Sequence, residues 1–145
     1  MEIQLRSGNE LTLANYEEIF VLANEWWREI SNIPLNKEDV FNLIERLKDT
    51  SLYYFKGDKV IAYVVCLIIP HIFNRDYITC HVLSLVIDKA FKNTKLFYRI
   101  LKDLDLLAKD NNAKNISITF FDNIKEKNLI RLSYARKAKE YNKEL

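Results

Sequence analysis

The sequence predicts an α/β fold in which a mixed sheet carries helices on both faces. Three observations predict it. Two amphipathic stretches come early. Three β-rich runs then follow one another with no helix between them. A strong amphipathic stretch separates the third run from a further one. Strands clustered between pairs of helices are the pattern of one sheet buried on both sides.

Residues 2–6 alternate weakly and form a candidate first strand. Residues 14–31 place Ile19, Leu22, Ala23, Trp26, Trp27 and Ile30 at helical spacing, with Glu17, Glu18 and Glu25 on the wet side. Pro34 interrupts that helix. Asn36 is a good N-cap for a second one, with Glu38 and Asp39 in its first turn and Val40, Leu43, Ile44 and Leu47 on one stripe. Leu52-Tyr53-Tyr54-Phe55, the turn Lys56-Gly57-Asp58-Lys59 and residues 60–69 read as a β-hairpin. Residues 70–76 read as a loop, and residues 77–88 as a long strand rich in Val, Ile, Leu and Thr. Residues 95–110 carry Leu96, Ile100, Leu101, Leu104, Leu107 and Ala108 along one side of a helix. A fifth strand is expected at residues 116–121. A last helix is expected at residues 125–139, with Leu129, Ile130, Leu132 and Tyr134 on its apolar side. The strand–helix–strand unit over residues 77–121 is expected to be a right-handed parallel crossover.

Composition bounds the function. At 145 residues the chain is expected to be a single domain, residues 1–145. A chain of this length buries roughly 70% of its unfolded surface and needs no staples. With 49% hydrophobic and 29% charged residues it is not of the disordered class. A net charge of +2 is too small to imply a nucleic-acid partner. Cys66 and Cys80 lie within apolar runs and make no disulfide framework, so they read as reduced thiols of a cytoplasmic protein. His71 and His81 form no familiar ligand spacing with them, and no metal is expected. No basic and then apolar leader opens the chain. The longest apolar run, residues 60–69, falls far short of the roughly 20 residues that span a bilayer, so no membrane partner is expected. Gly8 and Gly57 are the only glycines.

One stretch carries a resemblance. In Leu83-Ser84-Leu85-Val86-Ile87-Asp88-Lys89-Ala90-Phe91-Lys92-Asn93-Thr94-Lys95-Leu96-Phe97 a β-rich run leads through an acid and an aromatic into an amphipathic helix. Together with the element order, this resembles the GNAT superfamily of N-acetyltransferases. In that family a Leu-x-Val strand is followed by Asp-Pro-x-Tyr-Arg, then Gly-x-Gly-x-Gly/Ala, then a helix. Leu85 and Ile87 take the strand positions, Asp88 the acid, Phe91 the aromatic and Lys92 the basic residue. Asn111-Asn112-Ala113-Lys114-Asn115-Ile116 resembles the family's turn from helix to strand, and Leu132-Ser133-Tyr134 lies over its Leu-Tyr region.

The resemblance implies a mostly antiparallel central sheet, with acetyl-CoA as co-substrate and an amine as acceptor. The pantetheine arm would follow the strand at Leu85, Val86 and Ile87, as an added strand does. The pyrophosphate would sit at Lys92, Asn93, Thr94, Lys95 and Leu96, where free backbone N–H groups and the helix dipole favour an anion. Tyr134 is implied as the acid that reprotonates the CoA thiolate. His81 is a candidate base; it would lie on the same side as Thr79 and Leu83 in a regular strand. Cys80 is a weaker candidate, as an acyl-carrying nucleophile.

The chain also departs from the pattern. Asn93, Lys95 and Phe97 stand at the three glycine positions. Asn tolerates a positive φ better than most residues, whereas a ring at position 97 would fill the space of the phosphates. Few residues follow the last helix, leaving room for at most one short strand. Each candidate has a structural alternative. Lys89, Lys92, Lys95 and Arg99 form either a basic cradle or a solvated helix face. Tyr134 and His81 are either catalytic or packed. Of Trp26 and Trp27, one is expected in the core and the other at a pocket or interface. The whole chain has an alternative too: a GNAT-shaped protein that has lost catalysis and binds a protein partner. A homodimer fits either reading. Scarce glycine with plentiful Asn and Lys points to a bacteriophage or AT-rich bacterial source.

Overall fold

The computed structural model describes residues 2–118 and Lys143. Strand β1 (Ile3–Arg6) leads through a single 3-10 turn to helix α1 (Leu13–Arg28), and helix α2 (Lys37–Leu47) follows. Strands β2 (Ser51–Lys56), β3 (Lys59–His71) and β4 (Asn74–Ile87) come in succession, then helix α3 (Thr94–Asp110) and strand β5 (Asn115–Ile118). The sheet order is β1-β2-β3-β4-β5. Each neighbouring pair is antiparallel except β4 and β5, which run parallel across the α3 crossover.

The helices start where their caps allow. The Thr12 hydroxyl accepts from Asn15 N–H, and Asn15 Oδ1 accepts from Thr12 N–H at 2.9 Å, closing a reciprocal box at the start of α1. The buried Asn15 amide reaches further, donating to Glu18 and to the Asp58 carbonyl, which pins α1 to the β2–β3 turn. That turn needs Gly57, whose φ of 63° suits a residue without Cβ. At the other end of α3, Asn112 takes φ 59°. Asn is the non-glycine residue that adopts this left-handed cap most readily.

Alternation divides the sheet residues between two cores. Tyr53, Phe55, Tyr63, Val65 and Val86 pack beneath α1 and α2 with Ile19, Leu22 and Ile44. Tyr54, Val64, Cys66, Cys80 and Ile87 pack beneath α3 with Phe97, Ile100, Leu101 and Leu104. Helices therefore cover both faces, as the patterning predicts.

Two expectations need correction. Residues 70–76 are not a loop: β3 and β4 continue to a closing pair, His71 with Asn74, around a two-residue turn of Ile72 and Phe73. A run containing Pro70, Asn74 and Asp76 lacks the alternation that marks a strand, and pairing of its neighbours carries it. β4 is also not regular. Val65 pairs with Ser84 and Cys66 with Val82, so Leu83 is an extra residue with no partner on β3. The expected last helix, with Tyr134, lies outside the described residues, as does the end of the fifth strand.

Candidate active site

The site lies at the end of β4, where the strand leads into α3. β5 pairs with β4 at residues 79–82. From Leu83 onward β4 has no partner on that side among the described residues. Its other edge stays paired, up to Ile87 with Ala62. Beyond that pair, Asp88 N–H donates to the Ile61 carbonyl at 2.8 Å. Backbone groups alternate across an antiparallel ladder. Counting back from Asp88, Val86 and Ser84 therefore turn their N–H and C=O toward β3, and Leu85 and Ile87 turn theirs to the side away from β3. The side chains of Leu85 and Ile87 pack toward α3 and that of Val86 toward α1 and α2. What this segment offers a ligand is its backbone.

The end of β4 runs straight into the start of α3. Asp88 Oδ1 accepts from Ala90 N–H at 2.9 Å and sets a single turn at Lys89–Phe91. Asn93 then caps α3: its Oδ1 accepts from Leu96 N–H at 2.7 Å, while its Nδ2 donates to the Phe91 carbonyl. Asn93 has φ −152°, so the first glycine position is extended backbone and does not call for glycine. The N–H groups of Thr94 and Lys95, in the first turn, have no partner within the helix. Lys89, Lys92 and Lys95 are exposed and make no ion pair among the described residues. α3 has no acid in its first turn, in contrast to α2 with Glu38 and Asp39.

Two residues expected at this junction are elsewhere. Phe97 is only 2% exposed and belongs to the core beneath α3, so its ring does not fill the space in front of the helix. A residue four positions into a helix can turn inward, which the alignment of glycine positions does not reveal. Arg99 donates to the Ile3 carbonyl at 2.8 Å, lies 3.8 Å from Asp103 and stacks 5.6 Å from the centre of the Tyr54 ring. It ties α3 to β1 and leaves the cradle to the three lysines. A fourth cation that patterning missed, Lys56, stands 5.0 Å over the Phe91 ring.

The face of β4 toward α1 and α2 holds the polar groups. His81, half-buried, lies opposite Leu67 on β3 and opposite Ser117 on β5. Beyond the bulge, Ser84 is the next residue on the same face, and its hydroxyl is 2.9 Å from that of Tyr63. His81 thus shares its side with Thr79 and Ser84 rather than with Leu83. Burial, above all, holds the Tyr63 phenol well above its ordinary pKa. Burial also raises the Tyr53 phenol to about 12. Sequence reasoning missed Ser84 and Tyr63, because no periodicity signals a bulge.

Cys80 faces the α3 core and is fully buried, as is Cys66. The Cys66 thiol is pushed far up, first by its hydrogen bond with Cys80 and then by burial. The same hydrogen bond lowers the Cys80 thiol, but both sulfurs are fully buried, so the pair packs the core and offers no accessible thiolate. No group of His, Cys, Asp and Glu among the described residues could hold a metal, and no described helix is long and apolar enough to cross a membrane. Tyr134 lies outside the described residues.

A mixed sheet covered by helices on both faces, whose fourth strand leads into a lysine-flanked helix start, defines a class of α/β protein in which that helix start suits an anion. The comparisons give the class its family. The sequence matches the model of the acetyltransferase (GNAT) family over residues 16–134. The chain belongs to the GNAT acetyltransferase family. No curated protein sequence matches it. Three solved structures show how widely the fold is shared. A GNAT family acetyltransferase from Staphylococcus aureus has a TM-score of 0.69 at 17% identity, over 100% of each chain. A glucosamine-6-phosphate N-acetyltransferase from Arabidopsis thaliana has 0.73 at 11%, over 99% of each. A ribosomal-protein-alanine N-acetyltransferase from Brucella melitensis has 0.74 at 10%, over 100% of each.

Proposed function

We propose that the chain is an acyl-CoA-dependent N-acyltransferase that moves an acetyl group from acetyl-CoA to an amine of a small molecule or protein. The observation that carries this reading is the junction of the end of β4 with the start of α3. The backbone groups of Leu85 and Ile87 suit the amides of a pantetheine arm. The first turn of α3 suits the pyrophosphate, with N–H groups at Thr94 and Lys95 and cations at Lys89, Lys92 and Lys95. Three lysines at a helix start are unfavourable against the dipole unless an anion joins them. Asn93 and Leu96 complete the phosphate loop.

The amine attacks the thioester carbonyl, a C–N bond forms and the C–S bond breaks. His81 takes the proton that the amine loses, and Tyr134 gives one to the departing thiolate. Cys66 and Cys80 remain reduced thiols in the cytoplasm. The acceptors named for the structural relatives, a sugar phosphate and a ribosomal-protein alanine, have an amine in common and little else.

The test is a thermal-shift titration with acetyl-CoA. A ligand at about 100 times its dissociation constant adds about 2.7 kcal/mol to the native state. For a chain of this size that raises Tm by roughly 5–10 °C. A flat titration up to millimolar acetyl-CoA, with no heat in calorimetry, would overturn the reading and favour a partner-binding role without catalysis.

A further inference from the structure

We propose that the tip of the β3–β4 hairpin is a two-fold interface through which two copies of the chain form a homodimer. The tip lies at the far end of β4 from α3, so this surface does not depend on the acyltransfer reading. Residues 69–77 are all exposed. Ile72 is 84% exposed and Phe73 87%, with Ile69 and Tyr77 also exposed beside them. On the helices, exposed apolar residues occur singly, as Leu13 and Val21 on α1 and Leu106 on α3, and singly they need no explanation. At the tip they form one patch. The His71 ring lies 5.8 Å from that of Phe73 and 6.3 Å from that of Tyr77. The turn is held in shape by its own hydrogen bonds: Phe73 N–H donates to His71 Nδ1, and Asp76 N–H to Asn74 Oδ1, both at 3.1 Å. A preformed patch has little ordering entropy left to lose when it is covered.

Area and charge together point to a second copy. A large apolar side chain buries about 150–250 Å² when fully covered. Scaled by exposure, Ile69, Ile72, Phe73 and Tyr77 offer about 500 Å² of apolar surface per tip. Two tips give about 1,000 Å², and Pro70, His71 and the Arg75 stem bring the total near the roughly 1,200 Å² of a small specific interface. Arg75 and Asp76 are adjacent and exposed, and neither makes an ion pair among the described residues. A two-fold axis through the tip sets Arg75 of one copy beside Asp76 of the other, and the reverse, so the patch is complementary to itself. An anionic bilayer would attract the arginine and repel the aspartate. Pro70 fixes the mode of contact. It has no N–H to give to an added strand, so the copies meet by side chains and do not join their sheets. An interface at the low end of the size range makes a dimer that dissociates in the micromolar range.

The experiment is sedimentation velocity on the full chain from about 1 to 200 μM. The wild type should pass from monomer to dimer across that range. Ile72→Ser combined with Phe73→Ser should stay monomeric throughout with an unchanged circular dichroism spectrum, because both side chains are exposed. Arg75→Asp and Asp76→Arg, taken singly, set like charges face to face and should each weaken the dimer about tenfold. The two changes together exchange the signs and should recover wild-type dimerisation, which a role in packing alone does not predict. A wild type that stays monomeric at the top of the range overturns the proposal. So does a dimer that survives Ile72→Ser with Phe73→Ser, or a loss in the single charge variants with no recovery in the double one. Monomers that sediment with vesicles of phosphatidylcholine and phosphatidylglycerol, and cease to on Phe73→Ser, would overturn it too and give the tip to a lipid surface.

Discussion

Phe97 separates two accounts of the α3 start. The glycine alignment places its ring against the phosphates, and the structure places it among Leu96, Ile100, Leu101 and Leu104. Phe97→Ala removes a ring that is 2% exposed. Loss of transfer free energy plus the cavity left behind costs about 3–5 kcal/mol for a buried Phe. The better helix propensity of Ala returns no more than about 0.7 kcal/mol. Against a typical total stability of about 5–15 kcal/mol, that is a large share. The urea midpoint should fall with an unchanged m value, and Tm should drop by roughly 6–18 °C. Acetyl-CoA affinity, measured where the variant is still folded, should stay within about threefold of wild type, because nothing leaves the space in front of the helix. A stability loss under 1 kcal/mol combined with tenfold tighter acetyl-CoA binding would refute the reasoning and put the ring in the phosphate site.

The cap itself makes a second prediction. Asn93 Oδ1 holds the Leu96 N–H that a phosphate oxygen would use. Asn93→Gly costs only a few tenths of a kcal/mol as a cap and should tighten acetyl-CoA binding up to about tenfold, whereas Asn93→Asp, which sets a carboxylate in the anion's place, should weaken it. Equal calorimetric affinities for all three proteins would show that no phosphate reaches this turn. The third prediction concerns alkali. Burial raises the phenols of Tyr53, Tyr54 and Tyr63 above the value of 10.0 they regain on unfolding. The native state therefore binds more protons than the unfolded state above that pH, and stability falls as pH rises. Each of the three contributes about 1.4 kcal/mol per pH unit at first, so unfolding followed by circular dichroism should coincide with tyrosinate absorbance. Ionisation of all the tyrosines with the helix signal intact would contradict it.

The sheet and its helices were readable wherever a run buries one face. Leu96, Ile100, Leu101 and Leu104 announce α3, and the aromatic and β-branched runs announce β2 and β3. The cap of α3 was not in view, because the alignment to glycines directed attention to φ at Asn93, while the structure uses that residue's side chain. The hairpin tip escaped because Pro70 and Asn74 read as breakers, although the long ladder between β3 and β4 carries the chain past them. The polar face of β4 escaped for a different reason. Face assignments follow from counting by twos, and a single unpaired residue changes the count for everything after it. Tyr63 is an unremarkable core aromatic in sequence, and only the bulge brings Ser84 within its reach.

The same unpaired residue bears on how this strand compares with others. Leu83 is removable on paper: join Val82 to Ser84, and each keeps its partner on β3, Cys66 and Val65. Every side chain on both sides of the cut stays on its own face. An ordinary one-residue deletion in a buried strand inverts everything downstream; here the inversion is already built in, and a deletion would cancel it. What would be lost is the local bend and added twist that a bulge imposes. Position 83 is thus where a single gap belongs when this strand is laid against a regular one. The length of the chain can change there by one residue without disturbing either core.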